Sequence, residues 1–177
     1  MELKGSQTEA NLLKAFESKA HQKNMYDSYA YRFAYSGLQQ IQNAMYDAAK
    51  LESAHAKIIY EFLYGPVKDT KTNLKMMLED EIKGGEEMLA CAREAREEGF
   101  AEAEFCFAET AKIHVDHVKT YEQILCNFES DKVFNKDEAV DWVCVACGLV
   151  VHDHSPAETC PYCEHPKGLF YVKDTNF

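Results

Sequence analysis

The sequence predicts a mainly α protein, a long four-helix bundle followed by a very small domain held together by a metal. Three observations lead there. Through residue 128 the chain is poor in Pro and Gly and carries apolar residues at helical spacing, interrupted at Gly37, Gly65-Pro66 and Gly99. The same stretch repeats itself in one ungapped register. Beyond Phe128 the helical period stops, and four of the seven cysteines gather in two close pairs.

Each helix has its own start and stop signals. Ser6-Gln7-Thr8-Glu9 is a capping box, a hydroxyl followed three residues later by a carboxylate, and opens a first helix running to about Ser36. A second runs from about Leu38 to Tyr64 and ends at Gly65-Pro66. The third begins near Thr70 and passes through the charged run Arg93 to Glu98, a solvated face, before Gly99. The fourth extends from about Phe100 to Phe128. Helices of roughly 27 to 30 residues are about 40 Å long at about 1.5 Å per residue, the length of a long bundle.

Shifting the first half onto the second supports two copies of one helix pair. His55 falls on His117, and 117 minus 55 is 62. The same offset carries Thr8 to Thr70, Asn11 to Asn73, Gly37 to Gly99, Ala49 to Ala111 and Leu63 to Leu125. Helix stops and a histidine in one register imply packing about a pseudo-two-fold axis. Glu52-Ser53-Ala54-His55 is then notable. A carboxylate and an imidazole three apart on a helix share a face, and such pairs on two helices of a bundle hold carboxylate-bridged metals.

Composition narrows the partners. The net charge of −11 argues against nucleic acid or an anionic membrane, both of which need a basic face. The absence of an apolar run near eighteen residues, or of a signal-peptide-like start, makes cytoplasmic the default expectation. At 177 residues and 46% hydrophobic the chain can build one ordinary core with an appendage.

We divide it into a helical domain 1–128, a polar linker 129–141 and a small domain 142–177. The last is too short for a core alone and needs a staple. Cys144-Val145-Ala146-Cys147-Gly148 and Cys160-Pro161-Tyr162-Cys163 supply it, two Cys-x-x-Cys turns able to close a four-sulfur tetrahedron. Iron there would be a one-electron carrier and zinc a structural pin. Four thiolates fill the shell, so His152, His154 and His165 are left out.

Trp142-x-Cys-x-x-Cys-Gly, Ala157-Glu158-x-Cys-Pro-x-Cys-x-His-Pro-Lys167 and a terminal aromatic strand resemble the rubredoxin-like domain of the rubrerythrins. Leu3-Lys4-Gly5-Ser6-x-Thr8-Glu9-x-Asn11-Leu12, His55-Ala56-Lys57 and Ala95-Arg96-Glu97-Glu98-Gly99-Phe100 resemble that family too, so the match spans essentially the whole chain. The resemblance implies a ferritin-like four-helix bundle, a mononuclear Fe(Cys)4 domain and a head-to-tail homodimer in which one subunit's rubredoxin iron feeds the other's bundle. It also implies hydrogen peroxide reduction with electrons from a donor protein or reductase. By the same resemblance Glu52, Glu81 and Tyr26 are candidate catalytic residues.

The bundle positions depart from the family. Its di-iron site takes Glu from the first helix, Glu-x-x-His from the second, a Glu pair from the third and Glu-x-x-His from the fourth. The repeat maps Glu52 and His55 onto His114 and His117, and Glu81 back onto Lys19. One turn after Glu81 stand Gly84 and Gly85. Three expected carboxylates are therefore Lys, His and Gly. Glu52 and Glu81 give about −2 and Lys19 brings this to about −1, too little for two buried dications, whose desolvation costs several kcal/mol each unless compensated.

Two readings follow. In one, His114, His117, Glu81 and Glu52 hold a single Fe2+, Mn2+ or Zn2+, with His55 as a fifth ligand. In the other the site is vestigial, Lys19 pairs with Glu52 or Glu81, and the histidines complete a polar network. Gly84-Gly85 inside a helix costs about 1 kcal/mol per glycine. We expect the pair to leave room for the Lys19 side chain, or to open a pocket or kink. Cys91, Cys106 and Cys126 read as buried thiols, Tyr29, Tyr31, Phe33 and Tyr35 as core and rim, and His21 as surface.

Overall fold

The computed structural model describes residues 2–173. Its elements are α1 (Gln7–Tyr35), α2 (Gln39–Tyr64), α3 (Thr70–Glu98), α4 (Ala101–Glu129), β1 (Val140–Cys144), β2 (Val150–Asp153) and β3 (Phe170–Val172). A single 3-10 turn, Lys167–Leu169, precedes β3. The chain divides into two compact units, Met1–Lys68 and Asp69–Phe177. No described helix is long and apolar enough to cross a membrane.

The first unit is the α1–α2 hairpin. Ser6 caps α1 by accepting the Glu9 N–H at 3.1 Å, while the Glu9 carboxylate accepts from Gly5 N, one residue earlier than a capping box requires. Gly65, at φ 78°, ends α2 in a conformation that side-chain-bearing residues avoid. Only the small residues Ala30, Ala49 and Ala56 are buried in these helices, because close helix approach is made where side chains are smallest.

The second unit begins with the α3–α4 hairpin. Asp69 caps α3 through the Thr72 N–H, and Gly99 closes it in the left-handed region at φ 83°. Gly85, Ala92, Ala95 and Ala111 are the buried helical residues here. Ala92 and Ala111 are the offset partners of Ala30 and Ala49, so the repeat read from the sequence recurs as equivalent packing points. Lys71 and Lys75 from α3 reach Glu129 at the end of α4, at 2.8 and 3.7 Å.

Several aromatic and cysteine expectations are corrected. Tyr29, Tyr31 and Tyr35 are exposed, and Tyr31 and Tyr35 instead bond to one another through their hydroxyls at 2.8 Å. Cys106 and Cys126 are exposed and Cys91 half-buried, since among the described residues of α3 and α4 only Gly85, Ala92, Ala95 and Ala111 are fully buried. His21 is exposed as expected.

The unit ends in a three-stranded antiparallel sheet of order β2-β1-β3. Alternation along the central strand sends Trp142 and Cys144 to one face, where both are buried with Cys160 and Phe170. Trp142 Nε1 donates to the Asp153 carbonyl at 3.0 Å, so the indole is both buried and satisfied. Part of the polar stretch before the sheet is ordered on it. Phe134 packs 6.3 Å from the Trp142 ring, and Lys136 N donates to the His154 carbonyl at 2.8 Å.

Candidate metal centres

Two short turns carry the four cysteines, and they are copies of one another. Gly148 N donates to the Cys144 carbonyl at 2.8 Å, as Glu164 N does to Cys160 at 3.0 Å. Cys144 N donates to Leu149, as Cys160 N does to His165. Each turn needs a left-handed residue after its second cysteine. Gly148 takes it at φ 78°, and Glu164, a non-glycine, at φ 59°. The sequence signalled only the first of these.

The sulfurs are placed for one tetrahedral ion. Cys144 and Cys163 Sγ are 3.7 Å apart, and Cys147 and Cys160 Sγ 3.8 Å. A tetrahedron with metal–sulfur arms of about 2.3 Å has edges of about 3.8 Å. Among the described residues this is the group of potential ligands whose donor atoms all lie within 4.8 Å of one another.

Electrostatics agrees. Burial pushes the Cys160 thiol up, but N–H groups of Cys163 and Tyr162 point at its sulfur and bring it down to about 7. The His165 N–H draws Cys163 down, yet burial and the three neighbouring thiols outweigh it and push it up to about 12. Four sulfurs this close resist becoming four thiolates unless a cation sits among them. The donor set therefore fits iron or zinc. His152 bonds Asp141 at 2.8 Å, and His154 and His165 face the Lys136 and Cys163 carbonyls, all outside the sulfur shell.

The helical candidates form two clusters, one per unit. In the first, Lys19 Nζ lies 3.0 Å from Glu52 Oε2 and also donates to Gln22 at 2.9 Å. His55 Nδ1 reaches the same carboxylate oxygen at 3.4 Å. The Lys19 ammonium holds the Glu52 carboxyl below the usual range against the upward push of burial, with His55 adding to it. Tyr26 is half-buried on α1.

In the second, His114 Nδ1 is 2.5 Å and His117 Nδ1 3.3 Å from one oxygen, Oε2 of Glu81. His114 holds the Glu81 carboxyl down against burial, with help from His117. Of the roles expected for Gly84-Gly85, room for the Lys19 side chain is corrected, because His114 packs against both glycines, while Gly85 does help line a cleft of about 240 Å3 beside the cluster. A Cβ on Gly84 would lie 2.9 Å from His114 Cε1, and one on Gly85 3.3 Å from His114 Cβ. Tyr121, missed in the sequence although it stands one turn after His117, stacks on that imidazole at 5.9 Å and 22°.

The two clusters occupy equivalent positions with opposite polarity. The hairpin partners are Lys19 and Glu52 in one unit, Glu81 and His114 in the other. In each cluster the glutamate is engaged by a nitrogen of its own hairpin, Lys19 Nζ on Glu52 and the His114 imidazole on Glu81.

No family model matches the chain. Curated relatives do. Rubrerythrin-1 of Clostridium acetobutylicum is 31% identical, covering 99% of this chain and 98% of that protein. Rubrerythrin of Nitratidesulfovibrio vulgaris is 32% identical over 99% and 98%. Among solved structures, nigerythrin in a partially reduced state is 22% identical, covers 95% of this chain and 87% of its own, and has a TM-score of 0.36.

Proposed function

We propose that this chain, which belongs to the rubrerythrin family, reduces hydrogen peroxide with electrons that enter through its four-cysteine site. As a family member it is a non-haem iron redox protein. The observation that carries the reading is the sulfur tetrahedron with its 3.7 and 3.8 Å edges. Cys144, Cys147, Cys160 and Cys163 would hold the iron, which would supply one-electron transfer there.

The chain's own groups set the conditions for that transfer. Trp142 and Phe170 pack with the buried thiols Cys144 and Cys160, and Phe134 packs against the same cluster, keeping water from the inner sulfurs. Backbone N–H groups of Tyr162, Cys163, Leu149 and His165 point at sulfurs and stabilise the thiolate charge, a lever on reduction potential. Reduction of one peroxide to two waters takes two electrons and two protons, so a one-electron entry site must be filled twice per turnover. Glu52, Glu81 and Tyr26 are the candidates for handling peroxide and its protons. The same reading calls for a head-to-tail homodimer, a reduced donor protein and a cytoplasmic setting that keeps seven cysteines as thiols.

The test is anaerobic reduction of the iron-loaded full chain followed by peroxide. Return of the iron–thiolate colour, at two oxidised sites per peroxide consumed and absent in Cys147→Ser, is expected. Peroxide that leaves the reduced chain unchanged overturns the reading. A second reading, an electron carrier or redox sensor with a helical dimer scaffold, is favoured by the Lys19–Glu52 pair, which occupies a candidate ligand with an ammonium. That protein would cycle its cysteine site with a donor and acceptor and consume no peroxide. A native preparation that is colourless and zinc-filled contradicts both.

A further inference from the structure

The acidity of the chain is unevenly distributed. Residues 1–68, the first compact unit, carry eight Lys and Arg against seven Asp and Glu, a formal charge of about +1 in a chain of −11. Three of these lysines gather on the groove between α1 and α2. Two adjoining clefts of about 460 and 390 Å3 lie there and share Lys23, Ser53 and Lys57. The first reaches Lys50, and the second reaches Phe16 and Tyr60.

The internal repeat shows that this polarity is no requirement of the fold. At the 62-residue offset, Lys23, Asn24 and Ser53 stand where the cleft of the second hairpin has Gly85, Glu86 and Val115. Ala54 stands where the second hairpin has Asp116, the carboxylate that pairs Lys119 at 2.9 Å. Lys57 is the equivalent of Lys119. With Ala54 before it, its ammonium has no ion-pair or hydrogen-bond partner among the described residues, and neither has the Ser53 hydroxyl. Lys23 is paired with Asp27 at 2.8 Å and Lys50 with Asp47 at 3.4 Å, both contacts open to solvent and weak for that reason. Asp27 is the one carboxylate in the lining, against three ammonium groups.

We propose that the α1–α2 groove binds a nucleoside polyphosphate, with its phosphates on Lys23, Lys50 and Lys57 and its base against Phe16 and Tyr60. Along α2, Lys50, Ser53, Lys57 and Tyr60 follow at spacings of three, four and three residues and so form one stripe. From Lys50 to Tyr60 the stripe is about 15 Å long at about 1.5 Å per residue, room for a phosphate chain and a base in line. Lysine ammoniums act as point charges that meet phosphate oxygens without a fixed geometry, and the free Ser53 hydroxyl can donate to one of them. Phe16 and Tyr60 are half-buried, with ring centroids 6.3 Å apart, and form the apolar end against which a flat heterocycle packs. Glu52 and His55 do not line the groove, so the site is separate from the metal candidates.

The test is a calorimetric titration of the full chain, its cysteine site filled by Zn2+, with ATP and separately with inorganic triphosphate in magnesium-free buffer. One ATP per chain is expected. Lys57→Ala should weaken both ligands about tenfold or more, because it removes the unpaired cation. Tyr60→Leu should weaken ATP about tenfold and leave triphosphate unchanged, because only ATP carries a base. Lys119→Ala removes the equivalent lysine that Asp116 already pairs, and should leave both affinities unchanged. Far-UV circular dichroism should show the same helicity for all three variants. No saturable binding of ATP, unchanged affinity in Lys57→Ala, or an equal loss in Lys119→Ala each overturn the proposal. An ATP affinity untouched by Tyr60→Leu overturns it as a nucleotide site. Neither iron nor peroxide enters the measurement, so its failure is distinct from failure of the peroxide reading.

Discussion

A methyl group at position 84 would sit 2.9 Å from His114 Cε1, close enough that the imidazole must shift and strain its bond to Glu81. In isolation Gly→Ala in a helix stabilises by about 1 kcal/mol, while a hydrogen bond to a charged group contributes about 1.5–3 kcal/mol. Gly84→Ala should therefore destabilise the chain by about 1 kcal/mol. In a His114→Ala background it should stabilise by about 1 kcal/mol. Denaturant unfolding of the four variants, at fixed chain concentration, measures this sign reversal, and additive effects would refute the coupling. The sequence flagged Gly84-Gly85 as needing a reason but could not name the occupant. His114 lies on another helix, and the contact depends on helix rotation that residue spacing does not define. The inverted Lys19–Glu52 and Glu81–His114 pairs are legible in the sequence as substitutions, and Lys19 with Glu52 is one of the two pairings the sequence allows for Lys19. The Tyr121–His117 stack follows from a spacing of one turn, which puts both rings on one face of α4.

Helix ends and their charges govern the next scale. Ser6 accepts the Glu9 N–H, so Ser6→Ala should cost about 1 kcal/mol in the same unfolding measurement. Acid sensitivity should include the N-terminus of α3 and the C-terminus of α4. Asp69 is held down by Thr72, and Glu129 by Lys71. A carboxylate depressed in the folded chain contributes stability that is full above its ordinary value, 3.8 for Asp69 and 4.5 for Glu129. That contribution is lost as pH falls through the lowered value. Thermal melts should accordingly hold steady above about pH 5 and fall below about pH 4, with Asp69→Asn reducing the slope. An acid limb unaltered by that substitution would place the lost protonation elsewhere. Helix boundaries were legible because capping residues and glycine stops act within one turn. What periodicity concealed is that the buried faces hold only alanine and glycine. Long apolar side chains such as Leu51, Ile58, Phe62, Leu89 and Phe105 are exposed.

At the scale of the whole molecule those exposed apolar rows carry the expectation of a dimer, since a helix must bury its apolar stripe against another layer. Light scattering should give twice the chain mass, and a monomer at micromolar concentration would contradict the head-to-tail reading. The cysteine domain was the most legible part of the chain. Two Cys-x-x-Cys turns define one tetrahedron almost regardless of context, and the sulfur separations match it. The helical metal positions were legible only as a set of departures, because charge balance states what cannot bind but leaves the pairing of the remaining groups to tertiary geometry. For this rubrerythrin-family chain we propose one iron–thiolate entry site and no two-iron centre. A Mössbauer spectrum of the fully iron-loaded, oxidised chain tests that most directly. The expected spectrum has a high-spin tetrathiolate iron component and no spin-coupled di-ferric doublet; such a doublet, or a spectrum lacking the tetrathiolate component, would contradict the proposal.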